Sequence, residues 1–194
     1  MMANHVDNYI SIEKCDSAIN LEGLFMHDNE LLEVEQVSFI KPLAEFDEDG
    51  ILKDWYNWGC EHIGAKWFTF EDVGEHVVIG TSAWSPVMPF VEKLCAHLAK
   101  DDEGVEIRHE YTDEFYNFIG IAKYTFEGGE AVCRWEEIEH SDINEMFMDK
   151  YQVDTQHDDF DWWEPIQHEG KELDALELQS EFIENWREET YAEL

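Results

Sequence analysis

Trp67-Phe68-Thr69-Phe70 leads into the acidic turn Glu71-Asp72-Val73-Gly74-Glu75, then into His76-Val77-Val78-Ile79-Gly80-Thr81 and Ala83-Trp84-Ser85-Pro86. Two runs of β-branched and aromatic residues around a glycine-bearing turn predict a hairpin. Ser85-Pro86 then reads as a helix start. Serine offers a capping oxygen, and proline at the first helical position gives up an N–H that the helix does not use. Val87, Val91, Leu94, Cys95 and Leu98 share one stripe of that helix, and Gly104 closes it.

Upstream, His5 to Glu13 alternates through Val6, Asn8, Ile10 and Ile12, as a strand does. Asp16 or Ser17 suits the cap of a helix through Ile19, Leu21, Leu24 and Phe25, weakened by Gly23. Leu31 to Ile40 fits helix or strand. Pro42 and Asp47-Glu48-Asp49-Gly50 mark a loop, and Trp55, Trp58 and Ile63 give Ile51 to Ile63 a short helical pattern. Downstream, Val105, Ile107, His109 and Tyr111 alternate as a strand. Tyr116 to Phe126 is a second one, turning at Glu127-Gly128-Gly129-Glu130 into Ala131 to Trp135. The order strand, helix, two strands, helix, further strands predicts an α+β fold: an antiparallel sheet with two helices on one face, in the ferredoxin-like layout. Only the layout is meant, since no iron–sulfur spacing is present.

Residues 1–135 form this predicted domain, and residues 136–194 read as an acidic helical extension. Ser141 suits the cap of a helix with Ile143, Met146, Phe147 and Tyr151 inward. A last helix over about 170–192 places Leu176, Leu178, Phe182, Ile183 and Trp186 on one face.

The chain's 194 residues hold 47 acids and 12 bases, a net charge of -35. Such a balance excludes direct nucleic-acid binding through clustered Lys and Arg, and disfavours anionic membranes. Disorder is excluded by 44% apolar and 14% aromatic residues. Residues 1–135 carry 27 acids and 9 bases, residues 136–194 carry 20 and 3, so the extension is more than twice as densely charged. No apolar run is long enough to span a membrane, and the N-terminus lacks the basic head and apolar stretch of a signal peptide. Cys15, Cys60, Cys95 and Cys133 lie in apolar segments without a CxxC pair, which predicts buried free thiols rather than a zinc or disulfide framework.

Two constellations stand out. Asp174, Glu177, Glu181, Glu184 and Glu188 gather on the polar face of the last helix. That is the pattern of an ordinary solvated face. It is also a ladder of carboxylates with axial steps of about 4.5–6 Å, against one phosphate per ~3.4 Å along a DNA strand. Asp158, Asp159, Asp161 and Glu164 interleave with Phe160, Trp162 and Trp163. The loop reads either as an anchor for the helix or as a partner-binding segment, whose acids pair with Arg or Lys while its aromatics supply contact area. His157 with Asp158, Asp161 and His168 offers a weak cation-ligand set, and Asp47-x-Asp49-Gly50 a fragment of a calcium loop. No phosphate loop, nucleophile elbow or H-E-x-x-H is present, so neither an enzyme nor a cofactor is expected.

Ala3-Asn4-His5-Val6 with Asn8, Trp55-Tyr56-Asn57-Trp58-Gly59, Gly64-Ala65-Lys66-Trp67, Ala83-Trp84-Ser85-Pro86 with Pro89, and Phe118 with Gly120 together resemble the Api-type family of phage and conjugative-plasmid proteins. The resemblance covers roughly residues 1–135. It departs at Ala65, where the family more often has Thr, and at Val87, where it more often has a second Pro. It implies a ferredoxin-like domain and a mobile-element protein in a bacterial cytoplasm; the family carries no established catalytic residues. With the charge, it leads to the expectation of a non-catalytic inhibitor of a bacterial defence complex. Such a protein would mimic nucleic acid and block a basic groove on a host nucleic-acid-binding protein, as a monomer or weak dimer. A scaffold or adaptor binding through exposed aromatics is the alternative.

Overall fold

The computed structural model describes residues 4–16, 18–114, 117–152, 166–168 and 171–194. The elements run β1 (His5–Lys14), α1 (Leu21–Phe25), β2 (Met26–His27), β3 (Glu30–Leu31), α2 (Trp55–His62), β4 (Phe68–Val73), β5 (Val77–Ala83), α3 (Met88–Leu98), β6 (Glu106–Asp113), β7 (Phe118–Glu127), β8 (Glu130–Glu139), α4 (His140–Tyr151), β9 (Ile166–His168), β10 (Lys171–Leu173) and α5 (Ala175–Glu193). No helix among the described residues is long and apolar enough to cross a membrane.

Six strands form one antiparallel sheet in the order β4-β5-β1-β6-β7-β8. β1 pairs antiparallel with both neighbours, Tyr9 lying opposite Ile79 on one side and Glu110 on the other. β5 and β6 therefore point the same way, and α3 connects them across β1. β1 and β4 are related likewise, with α1 and α2 in the connection and β5 between. Two interleaved split β-α-β units of this kind are the ferredoxin-like layout. The hairpin β7–β8 widens the sheet beyond β6, with Tyr124 opposite Cys133.

One face of the sheet carries the main core. Ile10, Ile12, Phe68, Phe70, Val78, Ile107 and Tyr124 meet Phe25, Trp58, Phe90, Val91, Leu94, Cys95 and Leu98 from the helical layer. Gly120 is fixed by this packing, because a Cβ there would lie 2.1 Å from the Tyr111 ring. The other face is covered in part by a second cluster of Ile119, Ile143, Phe147, Tyr151, Ile166, Ala175, Phe182 and Ile183. β8 thus runs through residue 135, and the acidic extension packs on the sheet.

Several local expectations change. α1 begins at Leu21, because Asn20 accepts from Gly23 N at 2.9 Å and caps it there. Ser85 does not cap α3; its Oγ donates to Gly64 O at 2.7 Å, α3 begins at Met88, and Pro89 is the proline of the first turn. The buried Asn8 carboxamide takes Val87 N instead, at 3.2 Å. α4 follows directly on β8 with no side-chain cap from Ser141, and Met146 is 43% exposed rather than inward. α5 starts at Ala175, because β10 occupies Lys171–Leu173. Its buried residues are Ala175, Gln179, Phe182, Ile183 and Arg187; Leu178 and Trp186 flank that face, and Leu176 is only half-buried. All four cysteines are free, but only Cys95 is buried, and Cys60 is exposed.

His109 lies wholly inside the main core. Its Nε2 donates to Asn8 Oδ1 at 3.0 Å, and Asn8 Nδ2 donates to Ser82 Oγ at 2.9 Å and to Val6 O at 2.8 Å. Desolvation by burial lowers its pKa from 6.5 to about 3. The unfolded chain therefore takes up a proton that the folded chain refuses, and this residue's contribution to stability falls as pH drops from 6.5 toward 3. The expected slope is about 1.4 kcal/mol per pH unit. His109→Gln keeps a donor for Asn8 and should lack that slope. Urea denaturation of both proteins between pH ~6.5 and ~5 isolates it from most carboxylates; parallel curves would contradict a buried neutral imidazole.

Candidate functional site

α5 is held at its N-terminus by Asp174, whose Oδ1 accepts from Glu177 N at 3.0 Å. Its axis follows β6: Arg187 reaches Thr112, and Tyr191 donates to Glu106 at 2.9 Å. Alternation on β6 sends Ile107, His109 and Tyr111 into the main core and turns Arg108, Glu110 and Thr112 toward α5. There the charges interlock. Arg187 Nη1 stands 3.2 Å from Glu110 and 2.9 Å from Glu184, and Nη2 donates to Thr112 Oγ1 at 2.6 Å. Arg108 Nε stands 2.7 Å from the same Glu110, and its Nη1 2.7 Å from Glu188.

Burial pushes the Glu110 carboxyl up, and the attraction of Arg187 and Arg108 pulls it down without cancelling the rise. Arg108 is disfavoured by burial but moves up overall, held by its bonds to Glu188 and Glu110. A buried ion pair of this kind adds little net stability, yet losing one partner is costly. Tyr191 closes the end of the network, its ring 5.0 Å from both the Arg108 guanidinium and the Lys123 ammonium. The third arginine, Arg134, pairs with Glu127 at 3.0 Å, so every arginine of the chain is paired internally.

Glu177, Glu181, Glu184 and Glu188 are all exposed on α5, at spacings of four, three and four residues. Their roles differ. Glu184 and Glu188 brace Arg187 and Arg108 while keeping 58% and 66% of their side chains exposed. Glu177 and Glu181 line an open surface with Ser180 and Asn185, and Asp174 serves as the cap. Asp158, Asp159, Asp161, Trp162, Trp163 and Glu164 lie outside the described residues, as does His157. His168 Nδ1 lies 3.2 Å from Tyr151 O. No group of three His, Cys, Asp or Glu able to hold a metal occurs among the described residues. The Asp47 carboxylate is engaged by Asp49 N and Ile51 N, both at 2.9 Å, as a turn brace.

Beside α5, the described residues leave part of the sheet's second face uncovered. Asp7, Tyr9 and Ile79 line a groove of about 380 Å³ together with Ser180, Ile183 and Glu184. The acidic helix face thus borders a concave surface of mixed polar and apolar lining.

A second feature, around Trp55-Tyr56-Asn57-Trp58-Gly59 and Ala83-Trp84-Ser85-Pro86, escapes the sequence reading. Trp58 and Gly59 are buried braces: Trp58 Nε1 donates to Leu43 O at 2.9 Å, and a Cβ on Gly59 would lie 2.6 Å from Lys66 O. Trp55, Tyr56 and Trp84 are instead 49%, 44% and 48% exposed. They surround the Lys66 ammonium at 5.4, 6.0 and 5.0 Å from their ring centres. Helical spacing groups Trp55 with Trp58, but at the first residue of α2 Trp55 turns to Lys66. The available signal was the count of aromatics: three in four residues exceed what one face of an eight-residue helix can bury.

Arg187→Ala takes from Glu110, whose side chain is only 15% exposed, one of its two arginines and leaves Thr112 without its donor, and should cost roughly 2 kcal/mol by urea denaturation. Glu188→Gln, at the exposed end of the network, should cost under ~1 kcal/mol. Equal losses would mean that α5 is not held through Glu110.

No curated protein and no solved structure gives a significant match to this chain. A family model described as "Ferredoxin-like domain in Api92-like protein" matches residues 64–154. The matched segment runs from just before β4 through α4 and leaves out β1, although β1 lies at the centre of the sheet. Strand order and family match agree on a ferredoxin-like layout, and residues 64–154 are similar to the ferredoxin-like domain of the Api92-like proteins.

Proposed function

We propose that this protein is a non-enzymatic inhibitor of a bacterial defence complex, carried by a phage or plasmid and acting in the host cytoplasm. Its acidic surface occupies a basic nucleic-acid-binding groove on a restriction, CRISPR or related nuclease complex and keeps nucleic acid out. The carrying observation is the row Glu177, Glu181, Glu184 and Glu188, exposed along one face of a helix whose opposite face is pinned to the sheet by Arg187. Carboxylates on a fixed helix lose less freedom on binding than the same charges on a loose tail. The whole chain, at -35, adds long-range attraction to a basic partner. Nucleic acid itself is repelled, and repulsion between copies favours a monomer or a weak dimer. Asp158, Asp159, Asp161, Trp162, Trp163 and Glu164 belong to the same proposal as further partner-binding residues, on the chemistry of their acids and aromatics alone.

A scaffold or adaptor function is the second reading. The exposed Trp55, Tyr56 and Trp84 favour it, and it requires binding that salt does not weaken.

The test is affinity capture from bacterial lysate at low and high salt, with mass spectrometry of the eluate. It compares the native chain with a Glu177→Lys/Glu181→Lys variant, which spares the ion pairs of Glu184 and Glu188. A basic nuclease or helicase complex held at low salt, released at high salt and bound about tenfold more weakly by the variant is the expected result. Capture indifferent to both salt and charge reversal would sink the mimicry reading.

A further inference from the structure

We infer that Trp55, Tyr56, Lys66 and Trp84 form an aromatic anchor for an arginine-bearing, basic protein partner. The inference rests on the proposed inhibition of a basic complex and names a second contact surface for it.

The cluster lies beside a groove of about 380 Å³ lined by Ile51, Leu52, Trp55, Trp58, Trp67 and Phe68. Exposed tryptophan and tyrosine next to an apolar recess are the usual composition of a binding hot spot. The backbone adds an independent observation. Trp84 has φ +71°, in the left-handed region that a bulky residue rarely adopts. Three hydrogen bonds fix it there: Trp84 N to Asn4 O at 2.9 Å, Ser82 Oγ to Ser85 O at 2.7 Å, and Ser85 Oγ to Gly64 O at 2.7 Å. Yet this strained backbone delivers an indole that is half-exposed. Burial does not account for the strain, whereas display of the ring does.

Charge decides the occupant. The rings already hold one ammonium, Lys66, which demonstrates an electron-rich environment suited to cations. Residues 33–66 carry eight acids and three lysines. Arginine is the side chain that both stacks on an indole face and pairs with a carboxylate. Placement is consistent with a shared footprint. Register puts His5 opposite Ala83 and Val6 opposite Asp113, so Trp84 stands at the end of the sheet where β1 begins. α5 runs from Thr112 at Arg187 to Glu106 at Tyr191, so Glu177 and Glu181 lie toward that same end.

The probe is the peptide Ac-Arg-Gly-Arg-Gly-Arg-amide, titrated into the full chain while the indole N–H signals are followed by NMR. Trp55 and Trp84 signals should shift saturably. Trp55→Ala and Trp84→Asn should each weaken binding by about fivefold, as loss of one exposed cation–π contact does. Asparagine tolerates the left-handed backbone, so the second variant keeps the turn. Glu177→Lys/Glu181→Lys should leave the indole shifts in place. Shifts confined to α5, or unaltered affinity in both aromatic variants, would overturn the anchor while leaving the mimicry reading intact. Indole shifts that follow protein concentration without peptide would also overturn it, in favour of a second copy. Loss of lysate capture on α5 charge reversal reports on the mimicry reading alone.

Discussion

Glu110 between Arg108 and Arg187 is the contact on which the second face of this molecule depends. A chain with 47 acids and 12 bases repels itself, and an isolated α5 with four exposed glutamates on one face would be a poor helix. Two buried arginines, one on β6 and one on α5, offset much of that repulsion locally. Arg187 projects from α5 onto the sheet, Arg108 projects from the sheet toward α5, and both meet the same carboxylate. The apolar residues around Phe182 and Ile183 give α5 its adhesion, and the arginines give it its placement. The repulsion that remains is directed outward, where water screens it.

Much of the fold is legible in the sequence because its strands obey simple alternation and its turns carry glycine. β1, the β4–β5 hairpin, the buried stripe of α3 and the β7–β8 hairpin all follow from periodicity. Ends are less legible, for identifiable reasons. Ser85 resembles a cap, but Gly64 O competes for its hydroxyl and Asn8 satisfies Val87 N from another strand. β8 runs past Trp135 because Glu136 and Glu137 pair with β7 through backbone, to which their side-chain polarity is indifferent.

The candidate site is legible only as a stripe of charge. Sequence separates the acidic face of α5 from its apolar face, but it cannot tell a glutamate that braces an arginine from one that faces only water. Glu184 and Glu188 belong to the first kind, Glu177 and Glu181 to the second. Arg108 and Arg187, 79 positions apart, give no local sign that they share a partner. The aromatic cluster is hidden for a similar reason, since Lys66 and Trp84 come from different loops. Together these features describe a protein with a rigid acidic face and a cation-friendly aromatic patch, built on a ferredoxin-like sheet similar to that of the Api92-like proteins. Both suit a basic partner, and neither requires bond-making chemistry.

The central claim is that the acidic face takes the place of nucleic acid. It is tested most directly by binding of a labelled duplex to the captured partner at increasing concentrations of this protein. Competition predicts that the apparent duplex affinity weakens in proportion to the protein added, with no ternary complex. A partner that binds duplex and this protein together, each at undiminished affinity, would contradict the account.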